Sequence, residues 1–169
     1  SDKKSVQLLN VSNPRSPQLI GSYSQKSGSG ADDDISMTIS PDNKYLFSAY
    51  FGFEIYDISN PNQIRQLYPS NSSDSQSIGS GLFYLSASND GKIIYGTNHT
   101  GGLEVYNVSD PENPQIISQL IFDKSRAGSV VLSKDNRMAY VVAATYPNSM
   151  VYILDVSNPF DIRQMLNFL

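Results

Sequence analysis

The feature that most constrains this chain is an internal repeat of roughly 48 residues. A turn made of Ser, then Asn or Asp, then Pro occurs four times in the 169 residues, and its serines are Ser12, Ser59, Ser109 and Ser157. A second landmark recurs in step with it: an aspartate followed by Asn or Gly and a basic residue, at Asp42, Asp90 and Asp135. Two independent landmarks that share one period indicate a repeat architecture.

Each repeat predicts four short strands. Residues 35–68 alternate between turn formers and segments rich in β-branched and aromatic residues. The aspartate landmark favours a type I turn followed by a residue with positive φ, which Asn43, Gly91 and Asn136 supply. In the other turn, Pro restricts φ, and the Ser and Asn side chains can bond the local backbone. No segment has an apolar stripe of helical period, so we expect almost no helix.

Four antiparallel strands in a repeat of this length are typical of a β-propeller blade. The middle strands are apolar on both faces, as expected for sheets stacked between neighbouring sheets. We therefore predict an all-β fold, a β-propeller segment of about three and a half four-stranded antiparallel blades in an incomplete ring. The predicted units are a half blade at 1–26 and full blades at 31–70, 78–122 and 127–169. A β-sandwich is the alternative, although it requires no such periodicity.

Two segments carry a family resemblance. GGLEVYNVSDPENPQIISQL at 101–120 and FGFEIYDISNPNQIRQL at 51–67 resemble the LVIVD repeat family, and SPDNKYLFSA at 40–49 is similar to a turn of YVTN and WD-type propellers. The resemblance extends over nearly the whole chain. It implies a propeller that serves as a binding or scaffold surface, in several cases surface-associated. It assigns no catalytic residue, because the motif residues build turns and inter-blade packing.

Charge and composition exclude several classes of function. A net charge of −4 at pH 7 argues against nucleic acid or anionic lipid as the main partner, since both favour basic surfaces. The absence of cysteine excludes disulfides, zinc–thiolate sites and thiol catalysis. No run of about 18 apolar residues occurs, so we predict no membrane-spanning segment. The N-terminal residues show no apolar signal segment.

Few residues suggest site chemistry. His99 is the only histidine, so no histidine pair exists for a metal, and a lone loop histidine without evident partners does not support a Ser-His-Asp triad. Asp32, Asp33 and Asp34 form a candidate Ca²⁺ site, because Ca²⁺ prefers several oxygen ligands. The alternative is an exposed acidic turn, since consecutive side chains of an extended chain point in opposite directions. We predict no other cofactor.

The innermost strands also bear on catalysis. The predicted innermost strands have the sequences ISMTIS, LFYLSAS and SVVLS. The polar side chains of the first strand, Ser36, Thr38 and Ser40, are all small. Such side chains are poor acids and bases.

Four N-glycosylation sequences occur, at Asn10, Asn71, Asn98 and Asn107, of which Asn71 and Asn98 are the attractive loop acceptors. They favour an extracellular or cell-surface setting.

We therefore predict a non-catalytic binding or scaffold module and not an enzyme. Its partners would be a protein or further propeller blades. A half blade leaves apolar sheet faces uncovered, so we expect a segment of a larger propeller or self-association through open blade faces. Two alternatives stay open. One is a metal-dependent hydrolase-type propeller enzyme domain, and the other is a carbohydrate-binding surface module.

Overall fold

The computed structural model describes residues 5–24, 36–49, 52–68, 81–98, 101–122, 126–144 and 149–168. These residues form fourteen strands and no helix. The strands are β1 Ser5–Asn10, β2 Gln18–Ser24, β3 Ser36–Ile39, β4 Tyr45–Ala49, β5 Phe53–Asp57, β6 Arg65–Tyr68, β7 Leu82–Ala87, β8 Ile93–Asn98, β9 Gly102–Asn107, β10 Gln115–Ile121, β11 Arg126–Leu132, β12 Met138–Ala144, β13 Ser149–Asp155 and β14 Arg163–Phe168. Nothing in this part of the chain is a helix long and apolar enough to cross a membrane.

The strands form four antiparallel sheets, and within each sheet every strand pairs with the strands that precede and follow it in that sheet's part of the sequence. Among the described residues, blade 1 contains β1 and β2, whereas blade 2 (β3–β6), blade 3 (β7–β10) and blade 4 (β11–β14) contain four strands each. The all-β prediction and the near absence of helix are confirmed for the described residues. The exact limits of the four units stay a prediction, because most of the segments between the sheets lie outside those residues.

The turn between the first two strands of a blade is built by a serine and the landmark aspartate. In all three copies the serine hydroxyl donates to the aspartate at 2.6 Å, and the same carboxylate accepts from the backbone N–H two residues later. The predicted positive φ is found at Asn43 (59°), Gly91 (69°) and Asn136 (57°). The sequence landmark is therefore a turn that closes on its own side chains.

The Ser-Asn-Pro turn joins the third and fourth strands. The residue two before each serine accepts its backbone N–H at 3.0 Å, and these residues are Asn10, Asp57, Asn107 and Asp155. The Asn or Asp after the serine bonds the backbone as predicted. The serine side chain differs from the prediction, because Ser59 and Ser157 donate to the preceding aspartate at 2.6 Å instead of to the backbone.

Packing between the sheets follows the two-residue alternation of a strand. One face of blade 2 buries Leu46, Tyr56 and Ile58 against blade 1. Its other face buries Phe47, Phe53 and Ile55 against side chains of blade 3 such as Tyr106. Blades 3 and 4 pack in the same way. This explains why the middle strands are apolar on both faces.

The antiparallel order gives each blade two sides. The hairpins described above and the Ser-Asn-Pro turns lie on one side, which we call the turn side. The innermost strands begin on the opposite side, at Ser36, Leu82 and Arg126, and the second strands end there. We call it the linker side, because the connections between blades leave from it.

Candidate functional site

Four of the six buried polar side chains among the described residues lie toward the linker side of blades 2 and 3. Ser48, Glu54, Thr97 and Asn98 are each less than a tenth exposed and lie near the linker-side ends of the second and third strands. Together with Glu104, we call them the linker-side polar cluster. A buried polar group is costly unless it is bonded, so the partners of these side chains decide what they do.

In blade 3 the cluster is organised around Glu104. One carboxylate oxygen, Oε1, accepts from Asn98 Nδ2 at 2.8 Å, and the other accepts from the Tyr106 hydroxyl. Asn98 Oδ1 in turn accepts the backbone N–H of Gly102 at 2.9 Å. These bonds close the turn between β8 and β9. The pKa of Tyr106 is raised, first by burial and then by the charge of Glu104, so its hydroxyl stays a proton donor to the carboxylate.

This geometry corrects the expectation for Asn98. The sequence placed it in a loop as an attractive glycosylation acceptor, but it is the last residue of β8 and only 8% exposed. Its amide nitrogen, the atom that would carry a glycan, donates to Glu104. Attachment of a glycan would require this turn to unfold.

Blade 2 repeats the arrangement with Glu54. Its Oε2 accepts from the Tyr56 hydroxyl at 2.7 Å, and its Oε1 accepts from Gln66 Nε2 at 3.4 Å. The Gln66 side-chain oxygen accepts from the Tyr23 hydroxyl of blade 1 at 3.2 Å. The pKa of Tyr56 is raised, mainly by burial. The chain of bonds links blades 1 and 2.

These two Glu-x-Tyr pairs were missed by sequence reasoning. Their signal was present, since FEIYD and LEVYN place an acid two residues before a tyrosine in strands predicted to be buried on both faces. An acid at such a position needs a buried hydrogen-bond donor, and the tyrosine supplies it.

Two further hydrogen bonds join neighbouring blades near their inner strands. The backbone N–H of Leu85 in β7 donates to Ser36 Oγ in β3 at 3.0 Å. The Thr97 hydroxyl in β8 donates to the backbone oxygen of Gly128 in β11 at 2.6 Å. Small polar side chains therefore tie the blades together.

Among the described basic residues, Arg126 alone lies on the linker side. Eight basic residues are described, and seven lie in turns or at strand starts on the turn side: Arg15, Lys44, Arg65, Lys92, Lys134, Arg137 and Arg163. Arg126 instead begins β11, an innermost strand, and its side chain is exposed on the linker side. A guanidinium at this place can bind a carboxylate or phosphate.

The other predicted site residues lie outside the described part of the chain. They are Asp32, Asp33, Asp34, His99 and Asn71. The Ca²⁺ site at the three aspartates therefore stays a prediction. Within the described residues, no group of three or more His, Asp or Glu side chains could hold a metal ion.

A comparison with known protein families tests the resemblance to the LVIVD repeat family. The LVIVD repeat family matches residues 2–25. The match falls in blade 1, and the predicted resemblance to LVIVD repeats is confirmed. No curated protein matches the chain significantly.

The fold is similar to that of solved propellers. A protein from Lactobacillus plantarum matches with a TM-score of 0.74 and 15% identity, over 97% of this chain and 51% of its own. A candidate 6-phosphogluconolactonase from Bacteroides fragilis matches with a TM-score of 0.71 and 18% identity, over 98% and 51%. The periplasmic gluconolactonase of Pseudomonas aeruginosa matches with 0.72 and 18%, over 97% and 50%.

This chain thus spans about half the length of the structures that it matches. The prediction of a β-propeller segment with an incomplete ring is confirmed.

The same comparison corrects the predicted function. The prediction of a non-catalytic binding or scaffold module, and not an enzyme, is wrong, because neighbours of this fold are named as lactonases. They support the hydrolase-type alternative instead. The prediction failed for a physical reason: the repeat residues build turns and packing, whereas a catalytic site needs only a few residues at strand ends or loops, which the repeat does not encode.

Proposed function

We propose that this chain supplies half of a hydrolase-type β-propeller that opens the ring ester of a sugar lactone. The observation that supports this proposal is the likeness of nearly the whole chain to propellers named as a gluconolactonase and a candidate 6-phosphogluconolactonase. The periplasmic neighbour supports a location outside the cytoplasm as part of the same proposal.

Lactone hydrolysis sets clear requirements. Water adds to the carbonyl carbon, the bond from that carbon to the ring oxygen breaks, and the ring oxygen takes up a proton. A base must accept a proton from the water, and donors must stabilise the negative charge that forms on the carbonyl oxygen. An anionic group on the sugar would need a cation to hold it.

We assign the binding of an anionic group to Arg126. It is an exposed guanidinium at the linker-side start of an innermost strand, and it can make charge-assisted, bidentate hydrogen bonds to a phosphate or carboxylate. The seven basic side chains of the turn side cannot reach the same place, because a strand separates the two sides.

Glu54 and Glu104 have a supporting role in this proposal. Both carboxylates are bonded to a buried tyrosine, and Glu104 also holds the turn that follows β8. We therefore do not assign proton transfer to them. Asp32, Asp33 and Asp34 precede β3 in the sequence, and their part in catalysis or Ca²⁺ binding stays a prediction.

A titration of the acid released from the lactone tests the proposal. The purified chain is given gluconolactone or 6-phosphogluconolactone at slightly acidic pH, where spontaneous ring opening is slow. We expect hydrolysis above the spontaneous rate. We expect Arg126→Gln to raise KM for the phosphorylated lactone about ten-fold, with kcat nearly unchanged, because one charge-assisted contact is lost.

The matched control is Arg137→Gln, which removes an exposed arginine from the turn side of the same blade and should leave KM unchanged. A chain that keeps its β-sheet circular dichroism but does not accelerate hydrolysis of either lactone would contradict the proposed activity. Equal effects of the two arginine variants would contradict the role of Arg126 alone.

A further inference from the structure

The innermost strand of blade 4 contains a β-bulge close to Arg126. The register of β11 against β12 is regular at Arg126 and Ala127 and again from Val130 onward, but it shifts between them. The two residues in between, Gly128 and Ser129, lie opposite a single residue of β12. A bulge of this kind adds one residue to a strand and changes the direction of the side chains on one side of it relative to the other.

This bulge decides which way the Arg126 side chain points. Side chains of a regular strand alternate between its two faces, so residues four apart lie on the same face. Val130 is buried in the core between blades 3 and 4, and in a regular strand Arg126 would point into that core with it. The extra residue instead places Ala127 beside Val130 in the core and leaves Arg126 exposed on the other face.

Thr97 of blade 3 holds the bulge in place. Its side chain is fully buried, and its hydroxyl donates to the backbone oxygen of Gly128 at 2.6 Å across the interface between the two blades. A bulge interrupts the ladder of backbone hydrogen bonds, and a carbonyl that loses its partner away from water is costly. The Thr97 hydroxyl supplies a partner at the residue where the bulge begins.

Gly128 fits this place for a steric reason. A Cβ atom added there would lie 3.1 Å from the backbone oxygen of Val142, the residue of β12 that faces the bulge. A contact this short requires the neighbouring strand to move by a few tenths of an ångström. The bulge is therefore fixed from two directions, by a hydrogen bond from blade 3 and by close contact with β12.

We propose that Thr97 is a positioning residue for Arg126: its bond to Gly128 fixes the bulge of β11 and thereby directs the guanidinium toward the anionic group of the substrate. This role rests on the proposed function, because it takes Arg126 as the residue that binds a phosphate or carboxylate. Thr97 itself is 0% exposed and acts only through the bulge. A guanidinium binds an anion through two parallel hydrogen bonds, so its direction matters as well as its charge.

Replacing the hydroxyl with a methyl group tests the proposal. We expect Thr97→Val to raise KM for 6-phosphogluconolactone about three-fold with kcat nearly unchanged, because the guanidinium stays but is less well placed. KM for the uncharged gluconolactone should not change, and Thr97→Ser, which keeps a hydroxyl, should retain the wild-type KM. In an Arg126→Gln background Thr97→Val should have no further effect on KM, whereas a general loosening of the fold would add to it.

Ser36→Ala is the matched control. Ser36 makes the other hydroxyl contact between neighbouring blades, since it accepts from the backbone N–H of Leu85 at 3.0 Å, but it lies in blade 2 and does not contact the bulge. It should leave KM for both lactones unchanged. The proposal is overturned if Thr97→Val has the wild-type KM for the phosphorylated lactone, or if Ser36→Ala raises that KM equally.

A binding measurement separates the role of Thr97 from the proposed activity. Inorganic phosphate is titrated into ¹⁵N-labelled protein, and the NMR signal of the Arg126 Nε–H group is followed. We expect weaker phosphate binding in Thr97→Val than in the wild type and Thr97→Ser, and this difference without any lactone hydrolysis would contradict the activity alone. If phosphate does not shift the Arg126 signal in the wild type, or binds equally well to Thr97→Val, the positioning role is overturned.

Gly128→Ala decides the matter if Thr97→Val loses its β-sheet circular dichroism. This variant keeps the Thr97 hydroxyl and displaces the bulge by crowding β12. We expect the same selective rise in KM for the phosphorylated lactone and the same weaker binding of phosphate. Wild-type values in a folded Gly128→Ala protein would overturn the proposal.

Discussion

At the scale of single residues, the aspartates of the repeat stabilise the turns by accepting hydrogen bonds. The pKa of Asp90 lies below its ordinary value, first because of the Ser88 hydroxyl at 2.6 Å, and also because of the Lys92 backbone N–H at 3.1 Å. Asp42 and Asp135 show the same direction with serine as the first cause. The carboxylate is therefore favoured in the folded chain over the unfolded one.

This direction predicts how stability depends on pH. A carboxyl group whose pKa is lowered by folding adds stability above its unfolded pKa, and that stability is lost as the pH falls below about 4. We expect the free energy of unfolding to decrease in this acidic range, and to decrease less steeply in Asp90→Asn. Urea unfolding at several pH values measures both slopes.

Ser88→Ala is the matched variant for this prediction. It removes the hydroxyl donor but keeps the carboxyl, so its acid slope should lie between those of the wild type and Asp90→Asn. Identical slopes in all three proteins would show that this bond does not set the pKa of Asp90.

At the scale of elements, the contact between blades 1 and 2 depends on a close approach of two backbones. A Cβ atom added at Gly21 in β2 would lie 2.1 Å from the Pro61 backbone oxygen in the Ser-Asn-Pro turn of blade 2. Real Cβ atoms do not approach an oxygen this closely. Gly21 therefore lets the outer strand of blade 1 lie against the turn of the next blade.

We predict that Gly21→Ala separates blade 1 from blade 2 locally. The backbones must move apart, and overpacking of this kind costs about 1–3 kcal/mol. Hydrogen exchange should quicken in β1 and β2 while β7 to β14 keep their protection. The control is Ser22→Ala, an exposed neighbour in the same strand that should change neither. A uniform loss of protection in all sheets would contradict the local effect.

At the scale of the whole molecule, blade 4 presents a face that blades 2 and 3 bury. Phe47 and Tyr95 are 0% and 2% exposed at one position of the second strand, whereas Tyr140 at the same position of blade 4 is 41% exposed. Thr97 is 0% exposed, and its counterpart Val142 is 45% exposed. Blade 4 therefore presents an exposed apolar sheet surface at these positions.

The two faces of β12 give a test of this exposure. Val141 points into the core and is 0% exposed, while Val142 points to the open face. We expect Val141→Thr to lower the free energy of unfolding by about 1–3 kcal/mol, because the new hydroxyl is buried, and Val142→Thr to change it by less than about 0.5 kcal/mol. Urea unfolding of dilute protein measures both, and an equally large loss in Val142→Thr would show that the face is covered in solution.

Much of the fold was predictable because its signals are local. The positive φ of Asn43, Gly91 and Asn136 and the alternation of the middle strands follow from residues close together in sequence. The site was predictable only in part. The buried Glu-x-Tyr pairs had a recognisable pattern, but the partner of Asn98 depends on how tightly the turn after β8 closes. Pattern reasoning could not supply that geometry.

The sequence alone determined the repeat, its four strands, its turns and its membership in a propeller, because each of these depends on spacing within a single unit. Only the tertiary structure decided which apolar side chains are covered. Met37 and Leu85 occupy the same position in the repeat and differ in exposure, since one lies beside an incomplete blade and the other beside a complete one. Burial depends on the neighbouring sheet, and a repeated sequence does not state whether that neighbour is present.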